Sequence, residues 1–175
     1  MSAPIPKLPI AVIGAGLAGL SCAQALLQSG HAVHVFDKSR GPSGRMSTRR
    51  AEDAAGPWQC DHGAQYFTAR DPQFRAEVAR WQQAGVAALW GARLASFDGS
   101  AWTTPATPLE RFVGTPRMTS PAGWLVQGLQ QAGDRALAQW QTTAQKLERH
   151  ADGWAITSAE HGLHAQRYSA VLLLS

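Results

Sequence analysis

The chain of 175 residues is poor in cysteine and in lysine. Two cysteines are too few for a disulfide framework. Lysine occurs only at Lys7, Lys38 and Lys146, so arginine carries most of the positive charge behind the formal net charge of +4. Because the planar guanidinium group of arginine matches phosphate oxygens, this composition favours phosphate-bearing ligands.

The sequence also lacks a nucleic-acid module, a low-complexity tract and a cluster of metal ligands. The arginines are spread along the chain with one local cluster, at residues 40–50, so we expect no nucleic-acid partner. Cys60 and His62 could share one strand face, but two ligands without nearby partners do not make a zinc site. Cys22 fits a small buried hydrophobic residue, and we expect no bound metal.

No long hydrophobic run is free of polar residues. Residues 10–27 are apolar enough to resemble a membrane span, but Ser21 and Gln24 interrupt the run and its glycines have another explanation. The first residues do not form a basic leader followed by an apolar segment. The expectation is a cytoplasmic protein without a membrane partner.

The first part of the chain has the pattern of a strand, a helix and a second strand. Residues 9–13 and 32–36 are predicted as strands, with a helix at about residues 17–29 between them. Gly30 follows the helix where a left-handed C-cap is common. Such a βαβ unit has parallel strands, so the predicted fold class is α/β with a Rossmann-like domain.

The turn between the first strand and the helix has the spacing G-x-G-x-x-G, at Gly14, Gly16 and Gly19. The first glycine permits a tight turn, the second lets the backbone approach a pyrophosphate, and the third lets the helix pack closely on the strand. Free N–H groups and the helix dipole favour an anion there. Asp37, which ends the second strand, can accept hydrogen bonds from an adenosine ribose. This pattern predicts a dinucleotide site, the alternative being a glycine-rich turn without a ligand.

The sequence beyond Asp37 departs from the pattern of nicotinamide-binding domains. Glycine and proline at residues 41–44 prevent the helix that would normally follow, so residues 39–57 are predicted as an extended, arginine-rich loop. The loop permits a second backbone approach to a diphosphate, with Arg40 and Arg45 as cationic partners. The alternative is a solvated basic loop.

The remaining chain is predicted to alternate helices with short strands. One helix begins with Asp71 as N-cap and Pro72 as its first residue, and Gly85 stops it. Another is predicted over residues 120–133. Residues 136–174 fit a small antiparallel meander that leads into a last buried strand.

Five segments resemble the renalase-like branch of the flavin amine oxidase superfamily. They read GAGLAG at 14–19, FDKSRG at 36–41, GRMSTRR at 44–50, DHGAQYFT at 61–68 and GTPRM at 114–118. The sequence departs from the family pattern at Ser43, where the family's loop usually has a second consecutive glycine, so the backbone there is more restricted. Family members are also much longer, and their distal half completes the substrate cavity.

The resemblance implies noncovalent FAD as the cofactor. The glycine turn, the end of the second strand and the loop would hold the ADP part and the pyrophosphate. His62 and Gly63 would lie near the isoalloxazine ring, and Ala144 would meet the adenine through its backbone. The implied cofactor-binding residues are Gly14, Ala15, Gly16, Leu17, Ala18, Gly19, Asp37, Lys38, Arg40, Gly44, Arg45, His62, Gly63 and Ala144.

The resemblance also places Gln65, Tyr66 and Phe67 at the substrate cavity. For the two aromatic residues, ordinary core packing is the alternative. No catalytic residue is assigned, because hydride transfer to a flavin needs no proton-transferring base at His62.

The resemblance implies a division of the chain into three parts. Residues 1–70 would form the FAD-binding βαβ unit and the flavin-contacting loop, residues 71–118 part of a substrate domain, and residues 119–175 a return to the FAD-binding domain. The continuous apolar run at 170–174 is typical of a strand covered on both faces. We therefore expect a truncated chain rather than a natural terminus at a sheet edge.

The implied activity is oxidation of dihydronicotinamide isomers of NAD(P)H. Hydride would pass to the flavin, and oxygen would reoxidise it to give NAD(P)+ and hydrogen peroxide. The expected partners are this small-molecule substrate and O2. Two alternatives stay open: an amine oxidase or desaturase of the same superfamily, and a catalytically incomplete FAD-binding module.

Overall fold

The computed structural model describes residues 8–91, 93–104 and 109–174. Its contacts divide the chain into a first unit, residues 1–47 with 122–175, and a second unit, residues 48–121. The sequence predicted the first boundary near residue 70. The contacts place it after Ser47, because the segment that follows folds as a hairpin of its own in the second unit.

Thirteen strands and three α-helices are present in the described ranges. In chain order they are β1 (Ile10–Ile13), α1 (Leu17–Gln28), β2 (Val33–Phe36), β3 (Thr48–Asp53), β4 (Gly56–Asp61), α2 (Pro72–Gln83), β5 (Ala87–Leu89), β6 (Ser96–Phe97), β7 (Trp102–Thr103), β8 (Phe112–Gly114), α3 (Ser120–Gln130), β9 (Ala136–Gln139), β10 (Ala144–His150), β11 (Gly153–Ser158), β12 (Gly162–Leu163) and β13 (Ala170–Leu173).

The first unit is built on a four-stranded parallel sheet with the order β13-β1-β2-β9. The predicted βαβ unit is confirmed, with α1 between two parallel strands. The sequence did not predict that β9 belongs to this sheet. β9 has four residues, and they form no pattern that indicates the strand with which they pair. β13 is an edge strand, and Leu173 is 67% exposed. Leu172 packs against the core residues that include Leu20, and Val171 packs against those that include Phe36, so both faces of β13 have packing contacts.

Helix α1 buries one face in the core of this unit. Leu20, Ala23 and Leu27 are buried against the sheet and against α3. Ser21 and Gln28 are exposed. Gln24 is half-buried and donates from Nε2 to the carbonyl oxygen of Leu125 at 3.1 Å. None of the helices in the described ranges combines the length and hydropathy of a membrane-spanning helix.

The predicted antiparallel meander is confirmed for β10, β11 and β12, which follow one another in a three-stranded sheet. Its apolar side joins a second cluster of buried residues, formed with Phe36, Ile156 and Tyr168. Burial raises the pKa of the Tyr168 hydroxyl to about 12. This cluster holds the meander next to the carboxyl end of β2.

Part of the predicted loop at residues 39–57 is a β-hairpin in the second unit, so that prediction was wrong for residues 48–57. Residues 48–61 form an antiparallel hairpin of β3 and β4, in which Thr48 lies opposite Asp61. Most side chains on both strands are exposed, so the alternation that signals a half-buried strand is missing from the sequence.

Helix α2 begins as predicted. The Asp71 side chain accepts hydrogen bonds from the N–H groups of Gln73 and Phe74, at 2.9 and 3.0 Å. Pro72 is the first helical residue, and Gly85 follows the C-cap with a φ of +72°. Trp81 is the largest fully buried side chain in the described parts of the chain.

Candidate dinucleotide-binding site

A cavity of about 1020 Å³ lies in the first unit, where β1 and β2 end and α1 begins. Ligands of parallel α/β sheets bind at this edge, outside the carboxyl ends of the strands. Most of the predicted cofactor-binding residues line the cavity: Gly14, Gly16, Leu17, Ala18, Gly19, Asp37, Lys38, Gly44, Arg45 and Ala144.

The glycine turn has the three properties that the spacing predicts. Gly14 has a φ of +108°, and a Cβ atom there would overlap the carbonyl oxygen of Leu174. A Cβ atom on Gly19 would overlap the carbonyl oxygen of Gly14, so α1 packs against the turn at a distance that only glycine permits. A Cβ atom on Gly16 would meet no atom within 4 Å. The fold therefore requires glycine at two positions, whereas at Gly16 the space beside the backbone is open.

The N-terminus of α1 has no side-chain cap. Its N-cap is Gly16, and no acidic residue lies in the first turn. Helix α2 of the same chain has its first N–H groups bound by Asp71. The uncapped N–H groups and the helix dipole make the start of α1 suitable for an anion.

Asp37 connects the end of β2 to the glycine turn. Its Oδ2 accepts a hydrogen bond from the Ala15 N–H at 2.6 Å, and its Oδ1 accepts one from the Ser39 N–H at 2.8 Å. A carboxylate has about four lone-pair positions, so the half-buried Asp37 can also accept from a ribose hydroxyl. Ala15 is fully buried and lies behind the turn, where its N–H orients Asp37.

The loop after β2 lies against the glycine turn. Ser43 donates from its N–H to the carbonyl oxygen of Ala15 at 3.0 Å and forms a parallel bridge with Gly16. A Cβ atom on Gly44 would lie 3.2 Å from the Cα atom of Gly16. Arg45 lines the cavity with this loop, whereas Arg40 is exposed and is not among the lining residues. Two glycine-bearing segments thus meet at the cavity, and two cationic residues, Lys38 and Arg45, line it.

Ser43 has a backbone conformation that favours glycine, with a φ of +122° and a ψ of −19°. We expect Ser43→Gly to increase the free energy of unfolding by about 1 kcal/mol, because relief of the strain exceeds the extra entropy of glycine in the unfolded chain. Urea denaturation of the two proteins measures this difference. A loss of stability on replacement would contradict the strained conformation.

Sequence reasoning predicted Ala144 in one wall of the cavity but missed the two residues that precede it. Thr142 and Thr143 line this wall, and the Thr142 N–H donates to the carbonyl oxygen of Asp37 at 2.9 Å. These residues reach the cavity because β9 pairs with β2, a contact across about a hundred residues of chain that no local pattern signals.

Ala144 presents backbone groups at this wall. It lies opposite Ser158 in the β10–β11 ladder, and the neighbouring hydrogen bond runs from the Ala159 N–H to the carbonyl oxygen of Thr143 at 2.9 Å. The Ala144–Ser158 pair is therefore of the non-hydrogen-bonded type, and the N–H and C=O of Ala144 are turned away from β11. Because β10 is the outer strand of its sheet, these groups lie at an open edge.

The other predicted residues belong to the second unit. His62, Gly63 and Gln65 are exposed. Tyr66 is 38% exposed and stacks on Trp90, with 5.7 Å between the ring centroids. Phe67 packs in an aromatic cluster with Phe74, Trp81 and Phe112. This arrangement corresponds to core packing, the alternative to a place at the substrate cavity. In the described ranges, no group of three or more His, Cys, Asp or Glu side chains could hold a metal ion.

Residues 12–81 match the family model described as the NAD(P)-binding Rossmann-like domain. The match covers less than half of the chain, and it lies over the parallel βαβ unit. This finding, together with the parallel sheet, confirms the predicted fold class.

Comparisons with known proteins find matches in sequence and in structure. A segment of 43 residues is 46% identical to the zeta-carotene desaturase of Arabidopsis thaliana and covers 25% of this chain and 8% of that protein. The solved structures that are similar include a putrescine oxidase variant with redesigned cofactor binding, at a TM-score of 0.63 and 12% identity, over 95% of this chain and 58% of that chain. A peptidyl tryptophan dihydroxylase has a TM-score of 0.54 at 15% identity, over 96% and 32%.

The two structural matches show the fold alone, since their sequence identities are low. The chain spans less than two thirds of each of these relatives. The desaturase, which is matched by sequence, is an oxidoreductase by name, and this agrees with the enzyme class that the sequence predicted.

Proposed function

We propose that this chain binds FAD noncovalently in the cavity of the first unit, as part of an oxidoreductase. The proposal rests on one observation above all. Two glycine-bearing segments, residues 14–19 and 43–46, meet at the uncapped N-terminus of α1, beside a carboxylate that ends β2. This arrangement suits a dinucleotide whose pyrophosphate lies against main-chain N–H groups and whose ribose lies at Asp37.

The loop after β2 supports FAD rather than NAD as the ligand. In this chain no α-helix follows β2 directly. The loop instead returns to the first glycine turn, where Ser43 bonds to Ala15 and Arg45 reaches the cavity. A second backbone approach with a guanidinium group adds contacts to a diphosphate. The resemblance of residues 44–50 to flavin amine oxidases supports the same choice.

The residues around the cavity have distinct proposed roles. The first-turn N–H groups of α1 and the Arg45 side chain bind the pyrophosphate, and Asp37 accepts from the ribose hydroxyls. The open backbone edge at Ala144 pairs with the adenine. Bound FAD supplies the hydride-accepting chemistry, for which the protein contributes position and electrostatics.

We further propose that the substrate is a dihydronicotinamide isomer of NAD(P)H. The substrate would lose a hydride to become NAD(P)+, with oxygen as the final acceptor and hydrogen peroxide as the product. The motifs at residues 61–68 and 114–118 support this choice through their resemblance to renalase-like proteins. Tyr66, which is partly exposed and stacked on Trp90, is the proposed aromatic contact for the nicotinamide ring.

Anaerobic mixing tests the substrate. The FAD-loaded protein is mixed with the 2- and 6-dihydro isomers of NAD(P)H, and the oxidised flavin absorbance is recorded. Rapid loss of that absorbance, with release of NAD(P)+, is the expected result. Unchanged absorbance with both isomers, in a protein shown to hold FAD, would exclude this substrate class while leaving the cofactor proposal intact.

A second candidate is oxidation of a C–N or C–C bond. The 46% identity to a desaturase and the structural match to a putrescine oxidase favour it. Release of hydrogen peroxide during turnover of simple amines would support an amine oxidase. Binding of FAD without turnover of any hydride donor would support a module that binds the cofactor but lacks activity by itself.

A further inference from the structure

The cavity wall formed by residues 142–144 is held from two sides. On one side it is attached to the end of β2. The Gln141 N–H donates to the carbonyl oxygen of Ser39, and the Thr142 N–H donates to that of Asp37, each at 2.9 Å. These backbone bonds fix the first part of the wall independently of any side chain.

On the other side the wall is held by the Ala159 N–H, which donates to the carbonyl oxygen of Thr143, and by the carboxylate of Glu160 in the turn between β11 and β12. The Thr143 N–H donates to Oε2 of Glu160 at 2.7 Å, and the Thr143 hydroxyl donates to Oε1 at 2.7 Å. These hydrogen bonds lower the pKa of Glu160, the backbone bond having the larger effect, so the carboxylate is ionised at neutral pH. Both oxygens of an exposed side chain are thus bound to one residue of the cavity wall.

Thr143 directly precedes Ala144, whose N–H and C=O lie at the open edge of β10. An irregularity follows at once, because the pairing shifts between Ala144 and Lys146. The regular ladder therefore does not fix the direction of the Ala144 backbone on its C-terminal side. On its N-terminal side, Glu160 binds the N–H and the hydroxyl of Thr143, and the Ala159 N–H binds the Thr143 carbonyl oxygen.

We propose that Glu160 is a positioning residue that aligns the Ala144 backbone with the adenine of the bound dinucleotide. The inference rests on the proposed function, and it assigns the selectivity for adenine to a side chain outside the cavity. Ala144 would donate from its N–H to adenine N1 and accept from the 6-amino group. Hypoxanthine has the opposite donor and acceptor at these two positions, so the same backbone edge would reject it.

Titration calorimetry of the full chain with ADP and with inosine diphosphate tests this role. The native protein is expected to bind ADP about tenfold more tightly than inosine diphosphate. That ratio corresponds to the free energy of roughly one well-made hydrogen bond. Glu160→Ala should lower the affinity for ADP toward that for inosine diphosphate and leave the latter nearly unchanged. Glu160→Gln keeps one acceptor oxygen and should give an intermediate ratio.

Glu148→Gln is the matched control. Glu148 lies on β10 and is paired with Lys146 at 2.9 Å, and it does not line the cavity. This variant should keep the native ratio of affinities. A native ratio in a folded Glu160→Ala protein would overturn the inference, and so would a native protein that binds ADP and FAD without preferring adenine. A native protein that binds neither nucleotide would overturn the proposed function itself.

Discussion

Replacement of Gly16 by valine is expected to abolish FAD binding in a protein that remains folded. Gly16 has a φ of −69° and a ψ of 177°, which valine adopts without strain. Its added side chain meets no protein atom at the Cβ position and projects into open space at the start of α1. There it occupies the place proposed for the pyrophosphate, so affinity should fall by about a hundredfold or more, roughly 3 kcal/mol.

Flavin fluorescence measures the affinity for FAD, and thermal unfolding shows whether the variant remains folded. The control is Gly123→Ala in α3, where a Cβ atom also meets nothing within 4 Å and where the residue does not line the cavity. The control should bind FAD like the native protein. Normal FAD affinity in the Gly16→Val protein would show that the pyrophosphate does not lie against this turn.

Replacement of Gly19 by alanine, unlike that of Gly16 by valine, is expected to lower the stability of the fold. The new Cβ atom would overlap the carbonyl oxygen of Gly14, a backbone atom that cannot rotate away. Helix α1 would have to move from the turn and disturb the packing of Leu20 and Val12. We expect a loss of about 3 kcal/mol in the free energy of unfolding, at the upper end for overpacking.

Urea denaturation gives this value, and Gly123→Ala is again the control. That change places the same methyl group on a helix with free space around it, so it should stabilise the protein by up to about 1 kcal/mol. A Gly19→Ala protein as stable as the native one would contradict the close approach between α1 and the turn. A loss of FAD affinity is expected to accompany the loss of stability, since the same turn carries both.

Local signals in the sequence predicted the part of the fold that carries the site. The glycine spacing, the apolar strands on either side and Asp37 all lie within one short segment, and each has a geometric requirement that the structure meets. The start of α2 was predicted for the same reason, because Asp71 and Pro72 act on neighbouring N–H groups. Where structure follows from adjacent residues, the sequence is sufficient.

The parts that sequence reasoning missed depend on distant contacts or on exposure. Thr142 and Thr143 reach the cavity only because β9 pairs with β2. The exposed hairpin of β3 and β4 has no buried face and therefore no alternation. In each case the structure depends on contacts or exposure that the pattern of neighbouring residues does not predict.

The most direct test of the central claim is the visible spectrum of the purified chain after equilibration with FAD and NAD+ together. After removal of free nucleotide, any bound cofactor is released by heat and identified. We expect a yellow protein that releases unmodified FAD in about equal molar amount, as a single noncovalent site requires. A colourless protein that retains NAD+, or neither nucleotide, would contradict the account.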